Sequence, residues 1–272
     1  MRASKRRTVV GDSLAELRVA LPSISRARVT NVVIGVGYTG VRLSSGEVGL
    51  AYTLTSEETP DCCALMKRAG HLTELSALEL ARLALSWDIR SRVVGVAALN
   101  ALSQLYLRSR TNRILISKGN IADHLALKGD VVTIVGNMAP MVDKLEAKAK
   151  NIYVLERSME LRDGRTLPDT AAEEVIPESD VVLITGTSIV NGTVDRLLEL
   201  SKNAREVALV GPTAGILPTV LFEHGVTAVA TVKVMNADKV MKNISEGGGA
   251  PLFANAVQLV IYRPVLRAGR RR

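Results

Sequence analysis

After residue 130 the sequence alternates short, wholly apolar runs with stretches of helical spacing, and few folds other than a covered parallel sheet accept that pattern. The runs are Val131-Val-Thr-Ile-Val135, Ile152-Tyr-Val-Leu155, Asp180-Val-Val-Leu-Ile184, Glu206-Val-Ala-Leu-Val210 and Val226 to Val232. A strand half exposed to water shows alternating polarity; these do not, so both faces are buried. Helices are predicted over Met138 to Lys150 and over 170–176, 192–203 and 216–224. Strands separated by helices form right-handed crossovers, which gives an α/β, Rossmann-like parallel sheet.

The first part of the chain has a different order. A helix is expected over 8–20, a strand over Arg28 to Ile34, and a hairpin over Val41 to Thr53 turning at Ser44-Ser45-Gly46. An irregular stretch, 56–71, precedes two Ala- and Leu-rich helices at 73–86 and 91–107. Strands first and helices afterwards make a small α+β unit. The expected division is therefore 8–110 and 111–265, flanked by basic tails at 1–7 and 266–272. The Ala/Leu helices could pack on their own sheet or on a twin chain, so a homodimer is a candidate.

Charge locates few functions. The net charge of +8 equals the eight basic residues of the two tails, Arg2, Lys5, Arg6, Arg7, Arg267, Arg270, Arg271 and Arg272. The body between them is neutral, and aromatics are only 3% of the chain. A nucleic-acid face places basic residues along a folded element, often among aromatics, so nucleic acid is an unfavoured partner, confined to the tails. No apolar run approaches the about 18 residues that a membrane span needs, and no signal-peptide pattern follows the basic start. The expected location is the cytoplasm, where the adjacent Cys62 and Cys63 stay reduced.

In doubly wound sheets ligands lie beyond the carboxyl ends of the strands. Here those ends are small and polar: Gly136-Asn-Met-Ala-Pro140, Glu156-Arg157, Thr185-Gly-Thr-Ser-Ile-Val-Asn-Gly-Thr193 and Gly211-Pro-Thr-Ala-Gly215, with Ser245-Glu-Gly-Gly-Gly249 near the end. Threonine hydroxyls and glycine backbone N–H groups suit an anionic or polar ligand. Ordinary turns and helix caps use the same residues. Only Gly136 of a dinucleotide glycine fingerprint is present, so no NAD site is expected, and the phosphate-loop lysine and the Gly-x-Ser-x-Gly elbow are absent. Asp169 in Leu167-Pro-Asp-Thr170 either caps a helix or faces the site. The soft donors Cys62, Cys63, His71, His124 and His224 lack metal-site spacing, with His124 and His224 read as solvent-facing or capping. A divalent cation would instead fall to Glu156, Asp169 and Glu246.

These residues together resemble a family of archaea and anaerobic bacteria named for heavy-metal chelation. The resemblance is carried by Gly37-Tyr-Thr-Gly-Val-Arg-Leu, Val48-Gly-Leu-Ala-Tyr-Thr53, Ala97-Ala-Leu-Asn-Ala101, Leu167-Pro-Asp169, Asp180-Val-Val-Leu-Ile-Thr-Gly-Thr187, Asn191-Gly-Thr193, Val210-Gly-Pro-Thr213 and Ser245-Glu-Gly-Gly-Gly249. It implies an enolase-N-terminal-like domain before the Rossmann-like one, with a site in the cleft between them. By position the cleft residues are Tyr38, Thr39, Glu156, Asp169, Thr185, Gly186, Thr187, Asn191, Gly211, Pro212, Thr213, Glu246, Gly247, Gly248 and Gly249. Where relatives carry a glycine-and-aromatic pattern after the first Rossmann strand, this chain has Asn137-Met138-Ala139.

The expected function is binding of a polar small molecule in that cleft, with or without a metal ion. Gly136 and the cleft residues would hold the ligand, and Glu246 would serve any acid–base step, since a desolvated carboxyl titrates near neutrality. A non-catalytic metal chelator or carrier is the alternative, and association with nucleic acid through the tails is a third reading.

Overall fold

The computed structural model describes residues 7–20, 24, 26–54, 66, 68–108, 114–119 and 121–265, without the side chains of 123 and 124. The tails other than Arg7, the Cys62–Cys63 pair and the His124 side chain lie outside the described residues.

The chain opens with helix α1 (Val9–Arg18), whose start is fixed by Thr8: its hydroxyl accepts the Gly11 N–H, an orphan donor of the first turn. An antiparallel sheet follows in the order β1 (Val29–Ile34), β2 (Tyr38–Leu43), β3 (Val48–Tyr52). The single long helix expected over 73–86 is instead a 3₁₀ turn, Leu72–Glu74, then α2 (Ala77–Ala81) and a second turn, Arg82–Leu85. Ser76 explains the break, because it forms a capping box with Glu79 and so starts a new helix. Helix α3 (Ile89–Leu107), capped by Asp88, is buried along most of its length against β2 and β3 of its own chain.

That packing needs glycine. A Cβ on Gly49 would collide with the backbone of Ala97, Asn100 and Ala101, and one on Gly95 with the backbone of Ala84. Helix and sheet therefore meet backbone to backbone, and no side-chain rotation relieves an added methyl.

The second sheet has eight strands: β4 (Ile114–Ser117), β5 (Val131–Val135), β6 (Asn151–Glu156), β7 (Thr166–Pro168), β8 (Val181–Thr185), β9 (Glu206–Val210), β10 (Ala228–Val234) and β11 (Val257–Pro264). Their spatial order is β4-β11-β10-β9-β8-β5-β6-β7. The run from β10 to β7 is parallel, and β11 lies antiparallel to both β10 and β4. Counted from β5, the parallel strands stand third, second, first, fourth, fifth, sixth, the doubly wound order whose switch point lies between β5 and β8. The mixed α/β architecture with a large, mostly parallel sheet is as the sequence pattern required.

The helices between are α4 (Ala122–Leu125), α5 (Ala139–Leu145), α6 (Ala172–Val175), α7 (Thr187–Asn191), α8 (Val194–Leu200), α9 (Pro218–Glu223) and α10 (Ala237–Ser245). The stretch expected as one helix over 192–203 begins later, because Gly192 adopts φ +80° and closes α7 as a left-handed cap. One apolar cluster joins both parts of the chain, including Val9, Leu50's neighbour Ala51 and Leu99 together with Ile184 and Leu209. Another packs α10 and Phe253 against Val48 and Leu50. No helix among the described residues is long and apolar enough to cross a membrane.

Candidate functional site

At the switch point, Gly136 follows β5 with φ +95°, and a Cβ there would stand 2.9 Å from Thr185 Cγ2. The glycine thus serves two needs, a left-handed backbone and close approach to the neighbouring strand end. One strand over, Gly186 lies so close to Ala214 and Thr213 that a Cβ would strike their backbone. Gly136, Thr185, Gly186 and the Pro212–Ala214 turn therefore form one contiguous surface at the ends of β5, β8 and β9. Thr185 and Thr187 pair their hydroxyls at 3.3 Å and are only partly buried. Gly211 has φ +109° and open space where a side chain would stand.

The first part of the chain closes against this surface. The Tyr52 N–H, at the end of β3, donates to Thr213 Oγ1 at 2.9 Å. Asn100, 1% exposed, donates through Nδ2 to Leu50 O at 2.6 Å and to Thr213 O at 3.0 Å. One amide thus ties β3 to the loop after β9, and its own Oδ1 has no partner among the described residues. Beside it, the Tyr38 ring meets Tyr52 and Phe253 edge-on, with centroids 5.7 and 5.4 Å away. Burial, then the neighbouring Tyr52, push the Tyr38 phenol up to about 12, so it keeps its proton at neutral pH. Among the described residues neither phenol hydroxyl is hydrogen-bonded. Thr39, fully buried, pairs its hydroxyl with Thr53 at 3.0 Å.

The carboxylates at the same sheet edge are engaged locally. Glu156 accepts the Asn137 N–H and the Ser158 N–H, each at 2.8 Å, so both oxygens hold loop backbone. Asp169 does not cap a helix; it pairs with Arg157 Nε at 2.7 Å. Glu246 is largely exposed with Lys242 Nζ 3.9 Å away, so the desolvation expected of an acid–base group is absent. Among the described residues no group of three or more His, Cys, Asp or Glu side chains converges on a point where a metal could sit. The family's implied metal therefore does not fit the three carboxylates as arranged here.

Other expected residues also have local roles. Asn191 Oδ1 accepts the N–H and the hydroxyl of Thr193 at 3.1 and 2.7 Å, an Asx turn next to Gly192. Gly247 carries φ +81°, and a Cβ on Gly248 would run into the Asn243 side chain, so this glycine run ends α10 tightly. Its far end faces Gly37, whose Cβ position lies 3.9 Å from Gly249 Cα. His224 is not solvent-facing: its Nε2 lies 2.8 Å from Asp12 Oδ2, with Arg7 on the same carboxylate at 2.9 Å. His71 is exposed and lies 3.0 Å from Glu74. Tyr52, Asn100 and Phe253 were not among the expected site residues. A lone Asn inside an Ala/Leu helix is the signal that could have found Asn100.

The fold defines an α/β protein with small and polar residues at the strand ends by its switch point, abutted by an antiparallel unit. Two family models, both described as "Putative heavy-metal chelation", match residues 17–103 and 120–263, and the chain belongs to this family. An uncharacterized protein of Methanocaldococcus jannaschii is 38% identical over 182 residues, 65% of this chain and 68% of that one. Two crystal structures of DUF364-family proteins of unknown function superpose with a TM-score of 0.75 each. The Pyrococcus horikoshii protein is 29% identical, covering 93% of this chain and 97% of that one. The Desulfitobacterium hafniense protein is 27% identical, covering 94% and 98%.

Proposed function

We propose that this chain binds a polar small molecule along the seam between an enolase-N-terminal-like unit, 8–110, and a Rossmann-like unit, 111–265. Thr187 would donate a hydrogen bond and Thr185, whose own proton goes to Thr187, would accept one, together with donation from the Tyr38 and Tyr52 phenols. The backbone at Gly136, Gly211 and Gly247 to Gly249 would approach the ligand without side chains in the way. Thr213 and Thr39 are buried, and the Asn191 amide oxygen closes its own turn, so these three hold the walls rather than the ligand.

The observation that carries the reading is the 2.9 Å bond from the Tyr52 N–H to Thr213 Oγ1. It ties the end of β3, which carries Tyr52 next to Tyr38, to the turn after β9, and among the described residues neither phenol hydroxyl has a hydrogen-bond partner, which supports their being free for a ligand. Glu156 and Asp169 keep their loops in place and would not ligate a cation. The family's description favours chelation as the rival reading, which would need donors other than these carboxylates.

The test is native mass spectrometry with elemental analysis, on freshly purified protein and after incubation with a metabolite extract. An organic adduct without a stoichiometric metal is expected. A stoichiometric heavy metal with no organic adduct would overturn the small-molecule reading in favour of chelation.

A further inference from the structure

A cavity lies at the other end of α7 from Thr187, in a volume of about 190 Å³ between α1, α3 and the α7–α8 turn. Its charged lining residues are Arg92, whose Nε donates to Ala84 O at 3.1 Å, and Asp195. Among the described residues no carboxylate pairs with the two terminal nitrogens of that guanidinium, although the group is half-buried. Burial lowers the Arg92 pKa, with the charge of Asp195 opposing it. The nearest acid is itself engaged: Asp195 Oδ1 accepts the Val9 N–H at 2.8 Å. Space for the guanidinium comes from Gly192, where a Cβ would stand 2.7 Å from Arg92 Nη1.

The apolar wall is unusual for a water-facing surface. Trp87, the only tryptophan of the chain, is 97% exposed, and Leu85 beside it is 52% exposed. An indole left fully in water forgoes the burial that makes this side chain favourable in a fold. A guanidinium with two free, parallel N–H donors matches a carboxylate, and a flat apolar wall matches a ring.

We infer that this cavity binds a small organic anion with a planar apolar flank, its carboxylate on the Arg92 terminal nitrogens and its ring against Trp87 and Leu85. This second site is independent of the strand-end site and of the function proposed there. The unpaired guanidinium specifies charge, and the exposed indole specifies shape.

Because Trp87 is the only tryptophan, its emission reports the cavity directly in the full chain. The probes are benzoate, benzamide as the same ring without charge, and acetate as the charge without a ring. Benzoate is expected to shift the emission to the blue and saturate, with benzamide and acetate each weaker by roughly tenfold or more. Arg92→Gln should weaken benzoate by a similar factor while leaving the benzamide response unchanged. Equal responses to benzoate and benzamide in the unaltered protein would overturn the proposal without any variant. So would the absence of a saturable shift, or a blue shift that grows with protein concentration in the absence of probe, which would mean a second copy covers the indole.

Discussion

The two wings of one sheet edge make opposite use of polar residues. On the β6–β7 wing, Glu156 and Asp169 are bound by near neighbours: loop N–H groups at 2.8 Å and Arg157 at 2.7 Å. On the β8–β9 wing, the groups meet partners far along the chain, with Tyr52 on Thr213 and Asn100 joining Leu50 to Thr213. The carboxylates look like the chemistry in the sequence, and they build loops. Hydroxyls and phenols draw less notice, and they are the groups the proposed site uses. A charged side chain near a strand end has backbone donors within reach and satisfies them first, because leaving them unpaired costs about 1–3 kcal/mol each.

The contrast can be broken in graded steps. Gly49→Ala should have the largest effect, about 3 kcal/mol of stability or more, since the added methyl meets the α3 backbone and nothing can rotate aside. Urea denaturation measures it, and ligand retention should fall with it, because β3 carries Tyr52. Asn100→Leu leaves the Leu50 and Thr213 carbonyls without their donor and should cost about 2–3 kcal/mol by the same measurement. Glu156→Gln keeps one acceptor oxygen and turns the other into a donor, so one of the two N–H bonds is lost and the other loses its charge; about 1–2 kcal/mol is expected, with ligand binding unchanged. Asp169→Asn removes one partly exposed ion pair and should change stability by less than about 1 kcal/mol. A large loss of binding from either carboxylate variant would erase the distinction between the wings.

The second half of the fold was legible because buried strands have no polar alternation, and Val131–Val135 and Val181–Thr185 fall where their apolar runs stand. Strands β4, β7 and β11 were not foreseen. β4 and β7 are short edge strands with mixed exposure, and β11 runs antiparallel between the strand before it, β10, and the distant β4, outside the parallel pattern. At the site, the glycines at 136, 186 and 211 were legible from spacing, since strand-end turns need left-handed or crowded backbone. The engagement of Glu156 and Asp169 was not, because nothing in the sequence says which loop N–H or arginine will reach a carboxylate. Asn100 shows the reverse case: a polar residue in an apolar helix has to find partners, but only the packing of α3 between two sheets names them.

The most direct measurement compares adduct occupancy by native mass spectrometry in two double variants, Thr185→Val with Thr187→Val, and Glu156→Gln with Asp169→Asn. Loss of the organic adduct from the threonine pair, with occupancy kept in the carboxylate pair, is the expected result. Adduct or metal lost from the carboxylate pair while the threonine pair retains it would contradict the assignment of the site to the β8–β9 wing.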